Sequence, residues 1–238
     1  MQMDHYRLVG EAEDNAEAFG KHISEVAPED GGFLYSEAFF ISLCSSQFEP
    51  LRMIEASATK GQAGELLAKM FPQMPVISVL SDENSSESQA AKNRIGGRYE
   101  NHQFQYGEPG ELIDRISKAG DFLILDGMAG FKGLKLLFKL LATRKFELAF
   151  MHDLTVGSPT RAFLEKQLPS TVYADDPDFA AATHAMDATA LGLPAERSFE
   201  ANQGKFGYGY GMACLPYDAR FKYGSLARKA GLKGLFGG

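Results

Sequence analysis

The stretch Ile54-Glu55-Ala56-Ser57-Ala58-Thr59-Lys60-Gly61-Gln62-Ala63-Gly64 follows an apolar run, Leu51 to Ile54, and leads into a helical segment, Glu65 to Phe71. A strand, an acidic residue, a turn of small residues and a helix form one repeating unit of an α/β domain. They sit at the end of the sheet where such domains hold nucleotide-like ligands. What lies on either side of the stretch decides whether that unit is isolated or one of a series.

It is one of a series. Downstream, Pro75 to Leu80 reads as a second strand and Ser85 to Ile95 as a helix that Gly96-Gly97 stops. His102 to Tyr106 is a weaker third strand, followed by a helix from Glu111 to Lys118. Asp121-Phe122-Leu123-Ile124-Leu125-Asp126 is a continuous apolar run between two acids, as expected of a strand covered on both faces. Lys132 to Ala142 places leucines at helical spacing, and Phe146 to Met151 is a fifth strand ending in His152-Asp153. Ser158-Pro159 opens a further helix, with serine as N-cap and proline in the first turn. Strands alternating with helices require crossover connections. The expected fold is therefore α/β, a doubly wound, mostly parallel Rossmann-like sheet with helices on both faces.

Beyond Pro169 the alternation weakens: Thr171 to Tyr173 reads as a short strand, Asp178 to Leu191 as an alanine-rich helix, and Phe206 to Leu215 as a last, glycine-laced strand. Upstream, Asn15 to Val26 fits an amphipathic helix and Phe33 to Phe48 a buried one. The expected organisation is a helical extension over 1–30, the α/β domain over 31–217 and a basic tail over 218–238. In the tail, four glycines from Gly231 onward weaken a helix.

With 31 acidic and 24 basic residues the formal net charge is −7, which argues against a general nucleic-acid binder. No run is long and apolar enough to span a bilayer, and the first residues carry no secretory pattern. Cys44 and Cys214 match no metal or redox spacing and read as inert thiols in a reducing cytoplasm. The other histidines, His5, His22, His102 and His184, are scattered through the chain. The partners expected are a small-molecule substrate, no nucleic acid and no membrane span, with self-association into a homo-oligomer left open.

Each of the five strands has an acid at or just past its carboxyl end: Glu55, Asp82, Glu108, Asp126 and Asp153, the last beside His152. Carboxylates there can accept hydrogen bonds from ribose hydroxyls, an amine or an adenine amino group. Phe122-Leu123-Ile124-Leu125-Asp126-Gly127, the helix from Lys132 and then Phe150-Met151-His152-Asp153 resemble the class I S-adenosylmethionine-dependent methyltransferases. The likeness is to their small-molecule or sugar O-methyltransferases. Tyr106-Gly107-Glu108-Pro109-Gly110-Glu111-Leu112 is similar to that family's segment after the third strand.

The resemblance implies S-adenosylmethionine as cofactor, bordered by Glu55, Ser57 and Gly61, with Asp82 near the ribose, Glu108 by the adenine and Asp126 at the methionine amine. It implies His152, Asp153 and Asp126 as catalytic residues, His152 as general base. As in metal-using members, Asp126 and Asp153 stand at ligand positions for a divalent cation such as magnesium. The implied reaction is methyl transfer to a small molecule, a sugar or metabolite hydroxyl. Two positions depart from the family pattern: Ser57 replaces the first-loop glycine, and Ala129 the histidine two residues after Asp-Gly. They motivate the alternative, a methyltransferase-like domain serving as a non-catalytic binding or assembly module.

Overall fold

A computed structural model describes residues 3–29, 32–56, 60–128, 130–190 and 211–236. Among them the element order is α1 (His5–Ile23), α2 (Tyr35–Ser46), β1 (Arg52–Ala56), α3 (Gln62–Met70), β2 (Val76–Leu80), α4 (Ser86–Ile95), β3 (His102–Tyr106) and α5 (Pro109–Ile116). Then follow β4 (Asp121–Leu125), α6 (Gly130–Leu141), β5 (Phe146–Met151), α7 (Pro159–Gln167), β6 (Val172–Tyr173), α8 (Pro177–Ala190), β7 (Ala213–Pro216) and α9 (Tyr223–Phe236). The seven strands form one sheet in the order β3-β2-β1-β4-β5-β7-β6. Neighbours from β3 through β5 are parallel, and β7 runs antiparallel to both β5 and β6. This is the mostly parallel, doubly wound sheet that the strand–helix alternation requires.

Side-chain alternation along the strands divides the interior into two layers. Met53, Val76, Phe122, Ile124, Leu148 and Phe150 face α1, α2, α3 and α8. Ile54, Ile77, Leu123, Leu125 and Ala149 face α5, α6, α7 and α9. Burying a side chain such as Phe122 stabilises the fold by about 1.5–3 kcal/mol relative to leaving it in water. At the amino ends of the central strands Arg52 pairs bidentately with buried Asp121, at 2.6 and 2.9 Å, fixing β1 against β4. The connections at the other end are left to carry the site.

Helix α1 begins well before the expected Asn15. Asp4 caps it by accepting from the Arg7 N–H, and Leu8, Ala12, Ala16 and Ile23 make one buried stripe. Helix α2 is buried nearly all round, and its Cys44 packs in the same layer as Cys214 of β7. Both thiols are free, and burial, together with the neighbouring Cys44 thiol, pushes the Cys214 thiol up. The first half of the strand expected over 206–215 lies outside the described residues. Its Gly211 has φ +81°, and a Cβ there would lie 2.2 Å from the Leu154 carbonyl oxygen. The tail forms a helix despite its glycines. Built Cβ atoms on Gly231 and Gly234 would come within 3.2 Å of Lys135 and Phe131, so these glycines let α9 lie close against α6. Among the described residues no helix is long and apolar enough to cross a membrane.

Candidate active site

The sheet's order reverses between β1 and β4, and ligands of open α/β sheets bind in the crevice at the carboxyl ends of that pair. Ala56 lies opposite Leu125, and the Asp126 N–H donates to the Ala56 carbonyl at 2.8 Å. Parallel pairing therefore places Glu55 and Asp126, both buried, at the two sides of the reversal. One strand further, the His152 N–H donates to the Leu125 carbonyl at 3.0 Å, setting the imidazole beside Asp126.

His152 Nδ1 donates to Asp126 Oδ1 at 2.7 Å, and Nε2 donates to Glu37 Oε2 at 3.1 Å. All three residues are at most 2% exposed. With both carboxylates ionised they can only accept, so each ring nitrogen then carries hydrogen and the ring is an imidazolium. Burial works against that charge, but the Glu37 carboxylate and the hydrogen bonds to Asp126 and Glu37 outweigh it and raise His152 to about 11. A general base needs a lone pair, and this arrangement presents none. Asp153 is different: half-buried, in a left-handed conformation with φ +63°, its carboxylate reaches 3.9 Å from His152. Burial pushes its carboxyl up; His152 opposes this, while Asp126 and Glu37 add to it.

Glu37 had no signal in the sequence beyond its place in an apolar stretch. It belongs to a strap, made among the described residues by Glu29 and by residues 32–37, that lies across the crevice. Glu29 accepts from the N–H groups of Lys60 and Gln62, at 2.5 and 3.3 Å, so a carboxylate already occupies the positive start of α3. Arg94 holds that carboxylate at 3.3 Å. Gln62 is fully buried and bonds both main-chain groups of Phe33, accepting from its N–H and donating to its carbonyl. The Phe33 ring stands edge-on to His152 with centroids 5.5 Å apart. Glu37 closes the strap by accepting from the Leu34 N–H and from His152. Its other oxygen, Oε1, is buried without a hydrogen-bond partner among the described residues.

The remaining expected residues are placed as follows. Ser57 and Ala129 lie outside the described residues. Gly61 has φ +100° at the start of α3, and a Cβ on it would lie 2.8 Å from Ala91 Cα, so its surroundings are those of a contact with α4. Asp82 is exposed and accepts from the Asn84 N–H in a tight turn. Glu108 is exposed and caps α5, accepting from the Glu111 N–H at 2.7 Å. The structure thus gathers Glu55, Asp126, His152 and Asp153 and leaves Asp82 and Glu108 at the ends of their own strands.

Asp126, His152 and Asp153 bring ligand atoms within 4.8 Å of one another. Both ring nitrogens of His152 already meet carboxylate oxygens, so it offers no ligand atom as arranged, and Asp126 and Asp153 are the oxygen donors that would hold a hard cation such as magnesium. A second such group, His5 with Asp176 and Asp178, lies at the β6 edge and was not evident from the scattered histidines. For S-adenosylmethionine the donor chemistry fits better. Glu55 and Asp126 are acceptor groups in a buried crevice, suited to an ammonium, a sulfonium and ribose hydroxyls.

No family model matches the chain, and no curated protein sequence does. Among solved structures it is similar to a Podospora anserina methyltransferase with S-adenosylhomocysteine bound, at 11% identity and TM-score 0.48 over 92% of this chain and 98% of that one. It is also similar to the O-methyltransferase TomG of Streptomyces achromogenes, involved in tomaymycin synthesis and bound to S-adenosylmethionine. That likeness is at 14% identity and TM-score 0.47 over 91% and 92% of the two chains. These are similarities of overall architecture.

Proposed function

We propose that the chain is an S-adenosylmethionine-dependent methyltransferase acting on a small molecule, a sugar or metabolite hydroxyl. The observation that carries this reading is the placement of buried Glu55 and Asp126 on the two sides of the β1–β4 reversal, with His152 and Asp153 one strand away. When bound, the cofactor supplies an electrophilic methyl on sulfonium, so the protein has chiefly to align acceptor and methyl group. Glu55 and Asp126 take the cationic methionine end. His152 orients Asp126 through the contact of its Nδ1 with Asp126 Oδ1. Asp153, the more accessible carboxylate, accepts the hydroxyl proton in place of His152. The two buried thiols fit a reducing, cytoplasmic setting.

Calorimetric titration with S-adenosylhomocysteine tests the reading. Binding should be measurable, and Glu55→Gln should weaken it by about tenfold or more, the loss of one charge-assisted hydrogen bond. Asp153→Asn should retain that binding and lose turnover. Absence of heat at millimolar ligand, for wild type and for a variant with the strap released, sinks it. A second reading, the non-catalytic binding or assembly module, has the strap in its favour, because Glu29, Phe33 and Glu37 fill the approaches to the crevice. A released strap, Glu29→Ala with Glu37→Gln, that still binds no S-adenosylhomocysteine is the outcome this second reading requires.

A further inference from the structure

The cations of this acidic chain are unevenly placed. Helices α6 and α9 pack antiparallel: Gly231 lies by Lys135, Gly234 by Phe131, and the Phe138 and Tyr223 rings are 6.5 Å apart. An open groove of about 840 Å³ runs along their junction, with Phe131, Lys132 and Lys135 on one side and Arg228, Leu232 and Leu235 on the other. The α6 and α9 cations are exposed, and Lys132, Lys135, Arg228 and Lys233 have no carboxylate partner among the described residues. Leu232 and Leu235 are 58% and 76% exposed on the outer side of a helix whose inner side, Tyr223, Leu226, Ala227 and Ala230, is buried. Two bare leucines one turn apart, ringed by unpaired cations, on a molecule of net charge −7, call for an explanation beyond solubility.

We propose that the α6–α9 face docks on a bilayer surface rich in anionic phospholipid, with Leu232 and Leu235 entering the headgroup–acyl boundary and Lys132, Lys135, Arg228 and Lys233 meeting lipid phosphates. Charge complementarity selects the partner. Cations on an otherwise acidic molecule turn one face toward a negative surface, and α9 sets exposed Leu232 and Leu235 among them. Three of the four cations are lysines, point charges on flexible stems that suit a fluid array of headgroups better than one fixed anion. Among the described residues lining the groove, the one buried polar side chain is Thr160, a single hydroxyl, while Lys132, Lys135 and Arg228 are exposed. Docking of this kind leaves the chain peripheral, in keeping with the absence of a spanning helix among the described residues. It does not depend on the methyltransferase reading.

Co-sedimentation of the full chain with vesicles of phosphatidylcholine alone, or mixed with phosphatidylglycerol, tests it. The expected result is binding to the mixed vesicles only, weakened by added salt. Each exposed cation removed should weaken binding about fivefold, so Lys132→Ala, Lys135→Ala and Arg228→Ala together should cost on the order of a hundredfold. Leu232→Ser with Leu235→Ser should weaken it by about tenfold with all cations in place. These residues are exposed, and an unchanged melting temperature confirms that each variant is folded. Equal or absent binding to the two vesicle types, or a triple variant that pellets like wild type, overturns the proposal. So does a lipid-free dimer in sedimentation velocity that the triple variant abolishes, since the face would then seat a second copy of the chain.

Discussion

A histidine held between two buried carboxylates keeps its proton, and His152 does so at the cost of the basicity that its sequence position suggests. Its folded value of about 11 lies above its ordinary 6.5. The stabilisation it gives is therefore complete below pH 6.5 and is lost as pH rises through about 11. Asp187, which accepts from the Ser36 N–H, acts in the same sense at lower pH: burial raises its carboxyl from 3.8 to about 7, so its contribution fades between those values. Denaturant unfolding of wild type and His152→Gln at a series of pH values should show the stability difference shrinking steadily from neutral to strongly alkaline pH. A constant difference would contradict the imidazolium assignment. Glu37→Gln removes one of the two carboxylates, so the imidazole pKa, followed by NMR, should fall toward its ordinary value, with a stability loss of about 1–3 kcal/mol for the disturbed buried network. The sequence disclosed Asp126, His152 and Asp153 because they end strands. Glu37 stayed hidden because its partner is 115 residues away, and nothing local in an apolar helix announces a buried charge.

Among the elements, the loop after β4 and the strap decide the shape of the crevice, and glycines govern both. A Cβ on Gly133 in α6 would lie 1.8 Å from the Met128 carbonyl oxygen, a backbone atom of the loop that follows Asp126. Gly133→Ala must move that loop, so it should destabilise by about 1–3 kcal/mol or more and weaken S-adenosylhomocysteine binding as well. Gly10 in α1 is the control, with nothing within 4 Å of a built Cβ; Gly10→Ala should stabilise by about 0.5–1 kcal/mol through helix propensity alone. Thermal unfolding and calorimetry of the two variants read these opposite signs. In the strap, a Cβ on Gly32 would lie 2.3 Å from Gln62 Oε1, the atom that holds the Phe33 N–H. Gly32→Ala should break that bond, speed hydrogen exchange at Phe33 and open the crevice, and a variant with unchanged exchange there would show that the strap is not locked by Gln62. None of this is read from local sequence. Gly32 and Gly133 resemble any other glycine until the fold shows what faces them.

At the scale of the whole molecule, the parallel sheet was visible in the sequence because fully covered strands read as uninterrupted apolar runs, Asp121 to Asp126 above all. The order of the strands was not, since nothing in β1 and β4 alone says that they are neighbours. That adjacency turns five separate strand-end acids into a site holding Glu55, Asp126 and Asp153 while Asp82 and Glu108 cap their own turns. The reversal also bears on how a ligand would act on the fold. A molecule bound between β1 and β4 touches both halves of the sheet, so its binding energy adds to the stability of the whole domain. At a concentration one hundred times its Kd, a ligand adds about 2.7 kcal/mol. For a chain of this length that raises the melting temperature by about 5–10 °C. The strap works against this, because its contacts at Glu29, Phe33 and Glu37 must yield before the crevice opens, and the energy of breaking them is subtracted from the intrinsic affinity. S-adenosylhomocysteine should therefore raise the melting temperature of Gly32→Ala more than that of wild type at the same concentration. Equal shifts would mean that the ligand enters without displacing the strap, and a shift in neither protein would remove the cofactor from this crevice.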